Sequence, residues 1–217
     1  MEIYPAKFTD KNGEVETTIR NDWKVLRMNV REVEFIGTDF DSLEPENETD
    51  KLKLEKFSSA QGDLCDYRIN FEMPIEIMVD ERTVIGKLKV LIELGKPDIK
   101  GGIDREDVLL TLSYDGKVFR SQGTSGWFED ELLDIQKQLP PNHKIKCCFG
   151  CAFSDYSVYG HGLFGDLLCY RNIKEDYKRV SDKRDFMEIM GKAIKSVQET
   201  YLCPEFEVRK VGTGYRG

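Results

Sequence analysis

From Tyr67 to Val79 apolar and polar residues alternate with a period of two, placing Tyr67, Ile69, Phe71, Met73, Ile75, Ile77 and Val79 in one phase. That period puts the apolar side chains on one face of a strand. Beyond Asp80–Thr83 the alternation resumes in Val84, Gly86, Leu88, Val90, Ile92 and Leu94, which predicts an antiparallel hairpin with one buried face. Pro74 has no N–H to give to a ladder and predicts an edge or a bulge. A third run, Val108, Leu110, Leu112 and Tyr114, meets the hairpin dipeptide Asp115-Gly116 and continues as Lys117–Arg120. Between Trp23 and Phe35 the phase slips: Leu26, Met28 and Val30 fall in one register, Val33 and Phe35 in the other, predicting a bulge or a bend. Residues 41–63 are polar and charge-rich, and are expected to loop out or to be poorly ordered.

Helical spacing begins only after residue 123. Phe128, Leu132, Ile135 and Leu139 recur three or four residues apart, Glu129, Asp130 and Glu131 occupy the first turn, and Pro140-Pro141 closes the segment. Ser181 is placed to cap a second helix with an apolar stripe of Phe186, Ile189, Met190, Ala193, Ile194, Val197 and Tyr201, with Pro204 beyond it. Asn172 followed by Glu175 has the form of a capping box. Strands first and helices later predict an α+β fold: an N-terminal antiparallel β-meander with the helices of the C-terminal part packed on one face. Residues 1–217 are expected to form one domain, β-rich over 1–123 and rich in helix and cysteine over 124–217.

Charge changes the picture of partners. The net charge is −8, and residues 124–217 hold 14 basic and 14 acidic side chains against 18 and 26 in residues 1–123. An acid excess in one part opposes nucleic-acid binding, which needs clustered Lys and Arg, and favours a protein partner with a basic surface. No run of eighteen apolar residues occurs, and the first ten residues lack the basic and apolar regions of an export signal, so a cytoplasmic protein that does not engage a membrane is the expectation. The six cysteines, four of them between Cys147 and Cys169, are not spaced like a secreted disulfide framework and are expected to be reduced.

The stretch from Cys147 to Asn172 that holds four of them offers partial matches to three chemistries. Cys148-x2-Cys151 with Cys169 and Cys203 supplies the four thiolates of a closed zinc site. Against it, Ile145, Cys147, Phe149, Cys151 and Phe153 alternate with their neighbours and predict a strand, which places Cys148 and Cys151 on opposite faces. The expectation is therefore buried cysteines and no cofactor; if zinc is found, those four are its ligands. Gly160-His-Gly162-Leu-Phe-Gly165 spells a dinucleotide fingerprint but lacks the strand before it and the helix after it, so its glycines read as turn formers. Cys151 or Ser157 with His161 and Asp155 or Asp166 would make a Cys/His hydrolase centred on residues 151–171, although one loop would have to supply every member. The loop Ser154–Asp166 is otherwise a recognition loop, for which Asp155, Tyr156, Tyr159, His161 and Arg171 are the binding candidates.

Cys148, Cys151, Ser154-Asp155-Tyr156, Phe164-Gly165 and Cys169-Tyr170-Arg171, together with the C-terminal block beginning Cys203-Pro204-Glu205, form a pattern similar to that of a bacterial family catalogued only as a domain of unknown function. The resemblance implies a bacterial source and assigns no catalytic role. The leading expectation is a non-enzymatic protein-binding protein of the bacterial cytosol, of the immunity type that neutralises toxins. A Cys/His hydrolase and a zinc-stabilised module are the alternatives.

Overall fold

In the computed structural model, which describes residues 1–216, the chain is α+β and its strands form one large antiparallel sheet and two small ones. The large sheet begins with β1 (Glu2–Asp10), β2 (Gly13–Asn21), β3 (Leu26–Val30), β4 (Val33–Gly37) and β5 (Glu44–Pro45). After α1 (Glu48–Lys51) and a small hairpin of β6 (Ser58–Ala60) and β7 (Asp63–Cys65), the chain returns as β8 (Tyr67–Val79), β9 (Arg82–Leu94), β10 (Glu106–Tyr114) and β11 (Lys117–Arg120). The strand order β11-β10-β9-β8-β1-β2-β3-β4-β5 is a meander in two halves, joined where β8 pairs with β1.

The long hairpin follows the alternation in sequence, with Tyr67 opposite Leu94 and Val79 opposite Arg82. Pro74 lies within a central strand, at a local opening in it: β1 pairs with residues 68–71 of β8, and β12 (His143–Lys146) pairs with residues 76–79. The residue without an N–H thus falls between the two partners, where no second ladder needs it. The phase slip before Phe35 is a two-residue hairpin and not a bulge. Arg31 and Glu32 both have positive φ, 49° and 66°, so Val30 pairs with Val33 across a tight turn built without glycine. Within the 41–63 connection, expected to loop out or lack order, the chain makes β5, α1, β6 and the start of β7, and Leu43 and Phe57 are buried in the main core.

Helix α2 (Phe128–Gln138) buries Phe128, Leu132 and Ile135 in the sheet's apolar cluster, as its spacing predicts. The second expected helix is cut short. α4 (Lys183–Ile189) is capped by Asp182, whose side chain accepts from Asp185 N, and it gives way to a 3-10 turn at Met190–Lys192. Gly191 weakens the helix there, and the segment Lys195–Val197 becomes β15, paired with β14 (Leu167–Cys169), so Val197 packs through a strand. β14 also pairs with β13 (Ser154–Asp155). Asn172 does not cap α3 (Lys174–Lys178); its amide reaches Lys192 O instead.

The nine-residue strand expected over 145–153 is also overturned. β12 ends at Lys146, and Cys148–Gly150 forms a 3-10 turn in which Cys151 N donates to Cys148 O at 3.1 Å. Alternation persisted in the sequence because Cys147, Cys148, Phe149, Cys151, Ala152 and Phe153 are all buried, on both sides of the chain. Periodicity cannot separate a turn buried on all sides from a strand. Among the described residues no helix is long and apolar enough to cross a membrane.

Beyond the main core, two smaller clusters organise the C-terminal part. One contains Phe153, Tyr170, Tyr177 and Phe186; the other contains Cys148, Tyr156, Leu167, Cys169, Val197 and Cys203. The tail closes over them. Gly214 has φ +71°, and a Cβ there would fall 2.1 Å from Tyr177 Oη. Gly214→Ala is therefore expected to lift the tail from this surface and to speed tryptic cleavage at Arg209 and Lys210 about tenfold, with the main sheet still folded. An unchanged cleavage rate would mean that Gly214 is not what seats the tail.

Candidate functional site

The tight loop after β4 starts the site. Phe40 is buried against the rings of Phe71 and Phe164, each 5.6 Å away, and its carbonyl accepts the Tyr67 hydroxyl at 2.7 Å. Anchoring Phe40 carries the neighbouring Asp39 inward. Asp39 Oδ1 accepts Phe40 N at 2.6 Å, and Oδ2 accepts Phe164 N at 2.8 Å across the chain. The loop preceding β14 is held by two further carboxylates: Glu199 accepts Gly165 N at 2.8 Å, and Asp166 accepts Gly162 N at 2.6 Å. The Gly162, Phe164 and Gly165 amides of the Gly160–Gly165 motif are thus bonded to the protein's own carboxylates, Gly160 N donates to Ser157 O, and β14 rather than a helix follows the motif. No phosphate cradle remains there.

This brings together carboxylates that are far apart in the sequence. Burial pushes Asp39 and Asp41 up from the ordinary carboxylate range; Asp41 pushes Asp39 further, and Asp166 and Asp63 add to the rise of Asp41. Burial likewise raises Asp63, with Glu44 adding to it, and Glu106, with Asp41 adding to it. Glu199, 1 % exposed, is pushed up to about 7 by burial, with Asp166 adding to the rise. The acids of the surrounding sheet are differently placed: Glu93 pairs with Arg68, Glu76 with Lys146 and Asp10 with Arg31. Asp39, Asp41, Asp63, Glu106, Asp166 and Glu199 form a local concentration of acids without such ion pairs among the described residues, and burial favours the neutral form of the two innermost, Asp39 and Glu199.

Aromatic rings border it. Trp127, 37 % exposed, precedes α2 and stands edge-on to His161, whose ring stacks on Tyr156 at 4.1 Å. Tyr159 at the loop tip is 75 % exposed. The loop before Trp127 is shaped by Glu131, 2 % exposed, which accepts Gly123 N, Thr124 N and Ser125 N at 2.7, 3.1 and 3.0 Å. Burial alone would raise the Glu131 carboxyl, but these donors, with Ser121 and Ser125, hold it below its ordinary range.

The binding candidates from sequence are distributed unevenly. Tyr159 is presented to solvent and His161 partly so. Asp155 is buried and accepts Tyr177 Oη at 2.8 Å and Arg216 N at 3.2 Å, which makes it the seat of the tail. Tyr156 is buried and donates to Glu199 at 2.9 Å. Arg171 turns towards the thiols, its Nη1 3.0 Å from Cys203 Sγ.

The hydrolase centre is not assembled. His161 Nδ1 lies 2.9 Å from Gly162 O and Nε2 lies 3.8 Å from Glu129; Ser157 Oγ accepts Tyr159 N, and Cys151 forms a bridge with Val208. No nucleophile is paired with the histidine in these contacts. On the other side of α2 a groove of about 380 Å³ includes Leu133, Phe149, Val208, Arg209 and Arg216. Both arginines are committed to their own chain: Arg216 to Glu129 and Phe149 O, Arg209 to Thr213 O and Ser154 O. The groove is the seam along which the tail docks.

Residues 2–154 match DUF6304, a family of unknown function. The chain belongs to this family. The DUF6304 match spans the large sheet, α2 and the first acids of the cluster, and it ends at Ser154, so Asp166 and Glu199 lie outside it. The Cys/Gly pattern on which the resemblance in sequence was drawn also lies mostly beyond that boundary. No curated protein and no solved structure matches the chain.

Proposed function

We propose that this DUF6304 protein is a non-enzymatic binding module whose partner is a protein with a basic surface. The observation behind this reading is the acidic group at the junction of the 38–42 loop, β7, β10 and the 156–166 loop, in which carboxylates raise one another's affinity for protons. A Lys or Arg side chain brought to that face would relieve the repulsion, and Trp127 and Tyr159 at its border offer flat apolar area beside it. A bacterial cytosolic protein of the immunity type, neutralising a basic toxin, is the setting we propose, on charge and size alone.

The test is a paired capture from the source cell with wild-type protein and an Asp41→Asn/Asp63→Asn/Asp166→Asn variant. A basic protein retained by the wild type and lost about tenfold or more with the variant is the expected result. Equal retention by both baits, or an acidic partner, would remove the acidic face from the account.

A further inference from the structure

The groove beside α2 carries positive charge that the protein does not neutralise. Its floor is apolar, made by Leu133 of α2, Ile145 of β12, Phe149 and Val208. Lys144, Arg209 and Lys210 line it as well. Its acid, Glu129, is already paired with Arg216 at 2.8 Å. Lys144 and Lys210 are exposed at the mouth, and among the described residues neither has a carboxylate within ion-pair distance. Glu207, on which the charge of Lys210 acts, is itself bonded to Lys174 at 2.9 Å.

Arg209 is the most telling of the three. Its guanidinium is partly buried and donates to Thr213 O at 2.6 Å, to Ser154 O and to Tyr177 Oη at 3.2 Å. All three acceptors are neutral, and Nε is buried with no acceptor among the described residues. A cation withdrawn from water and given only neutral partners keeps much of its field. Two lysines beside the same floor add to that field, a local reversal of sign in a chain of net charge −8. The volume, about 380 Å³, lies within the range of small-molecule sites, which are typically apolar with a few placed polar groups.

We propose that this groove binds a small amphipathic anion, a medium-chain aliphatic carboxylate in its free, ionised form. The hydrocarbon chain covers Leu133, Ile145, Phe149 and Val208, and the carboxylate sits at the mouth between Lys144 and Lys210, in the field of Arg209. A short acid has the charge but leaves the floor wet; an alcohol of equal length covers the floor and leaves the cations unanswered. One wall of the groove belongs to α2 and β12 and the other to the tail segment Val208–Val211, so the bound acid also fastens the tail. The site does not rest on the proposed protein partner or on the acidic face.

The test uses the full chain and decanoate below its micelle concentration, with acetate and 1-decanol as the two half-ligands. Titration calorimetry should show one decanoate per chain with a dissociation constant of about 100 µM or tighter, and at least tenfold weaker binding of acetate and of 1-decanol. Lys144→Gln/Lys210→Gln changes only exposed side chains and should weaken decanoate at least tenfold, as should Leu133→Glu, which puts a like charge on the floor at a position 39 % exposed. Wild-type protein gives a readout that needs no variant: decanoate should slow tryptic cleavage after Arg209 at least threefold, and acetate should not. The proposal is overturned if decanoate does not bind saturably, if 1-decanol binds as tightly, if the folded double variant binds as the wild type does, or if cleavage of the tail is indifferent to bound decanoate.

Discussion

Glu131→Ala is expected to destabilise the protein by about 3 kcal/mol, because it strips the acceptor from three backbone N–H groups at once. An orphaned buried donor costs about 1–3 kcal/mol; access of water to the exposed Thr124 and the partly exposed Gly123 and Ser125, with the better helix propensity of alanine, keeps the total from reaching the sum. Glu131→Gln separates charge from hydrogen bonding. Its amide oxygen can keep the donors now served by Oε1, namely Thr124 N, Ser125 N and Ser125 Oγ, while its NH₂ faces Gly123 N–H. A loss of about 1–1.5 kcal/mol is expected for it. Denaturant unfolding of the three proteins measures both values. A loss below 1 kcal/mol for Glu131→Ala would show that the 123–125 turn does not depend on this carboxylate. The turn leads directly into Trp127, so Glu131 also determines where the aromatic border of the acidic face stands.

The second large effect depends on pH. Burial raises Glu199 to about 7, so the folded protein keeps a proton that the unfolded chain releases near the ordinary carboxylate value. Between those two values the native state binds more protons, and stability falls as pH rises through the window. The contribution is fully present below the ordinary carboxylate value and is lost above about 7. A displacement of that size corresponds to about 3 kcal/mol. Glu199→Gln stays neutral throughout. Its amide oxygen can accept Gly165 N and its NH₂ can donate to Tyr156 Oη, with the hydroxyl reoriented. Wild type and variant should therefore be about equally stable near pH 5, with the variant ahead by about 2–3 kcal/mol at pH 8.5. Parallel pH profiles would show that Glu199 ionises freely in the folded protein.

Much of the sheet was legible in the sequence, since a strand with one buried face must alternate. The 67–94 hairpin and the Asp115-Gly116 turn follow from that rule alone. The Arg31–Glu32 turn did not, because it adopts positive φ without the glycine or asparagine that usually marks such turns. β1 and β2 carried a weak signal: Tyr4, Ala6 and Phe8 alternate, but exposed Ile3 and Pro5 blur the contrast. The second helix failed because its apolar stripe continued through Gly191 into a segment that found a strand partner in β14.

The site was less legible. Tyr159 and His161 could be read from a polar loop next to glycines. The acids at 39, 41, 63, 106, 166 and 199 have no common spacing, and only the docking of Phe40 on Phe164 brings the loops that carry several of them together. The surplus acid in residues 1–123 was visible as a number; its partial concentration at one junction was not. For Cys148 and Cys151, the periodicity that placed them on opposite faces of a strand misled, because the segment between them is a turn buried on both sides.

The association rate of the captured partner, measured against ionic strength for wild type and for the Asp41→Asn/Asp63→Asn/Asp166→Asn variant, tests the central claim most directly. Opposite charges steer encounter over distances that salt screens, with a Debye length of about 8 Å at physiological ionic strength. The account predicts that the wild-type on-rate falls roughly tenfold between low and physiological salt while dissociation changes little, and that the variant shows a markedly shallower dependence. A salt-independent on-rate, or an equal dependence in both proteins, would contradict it.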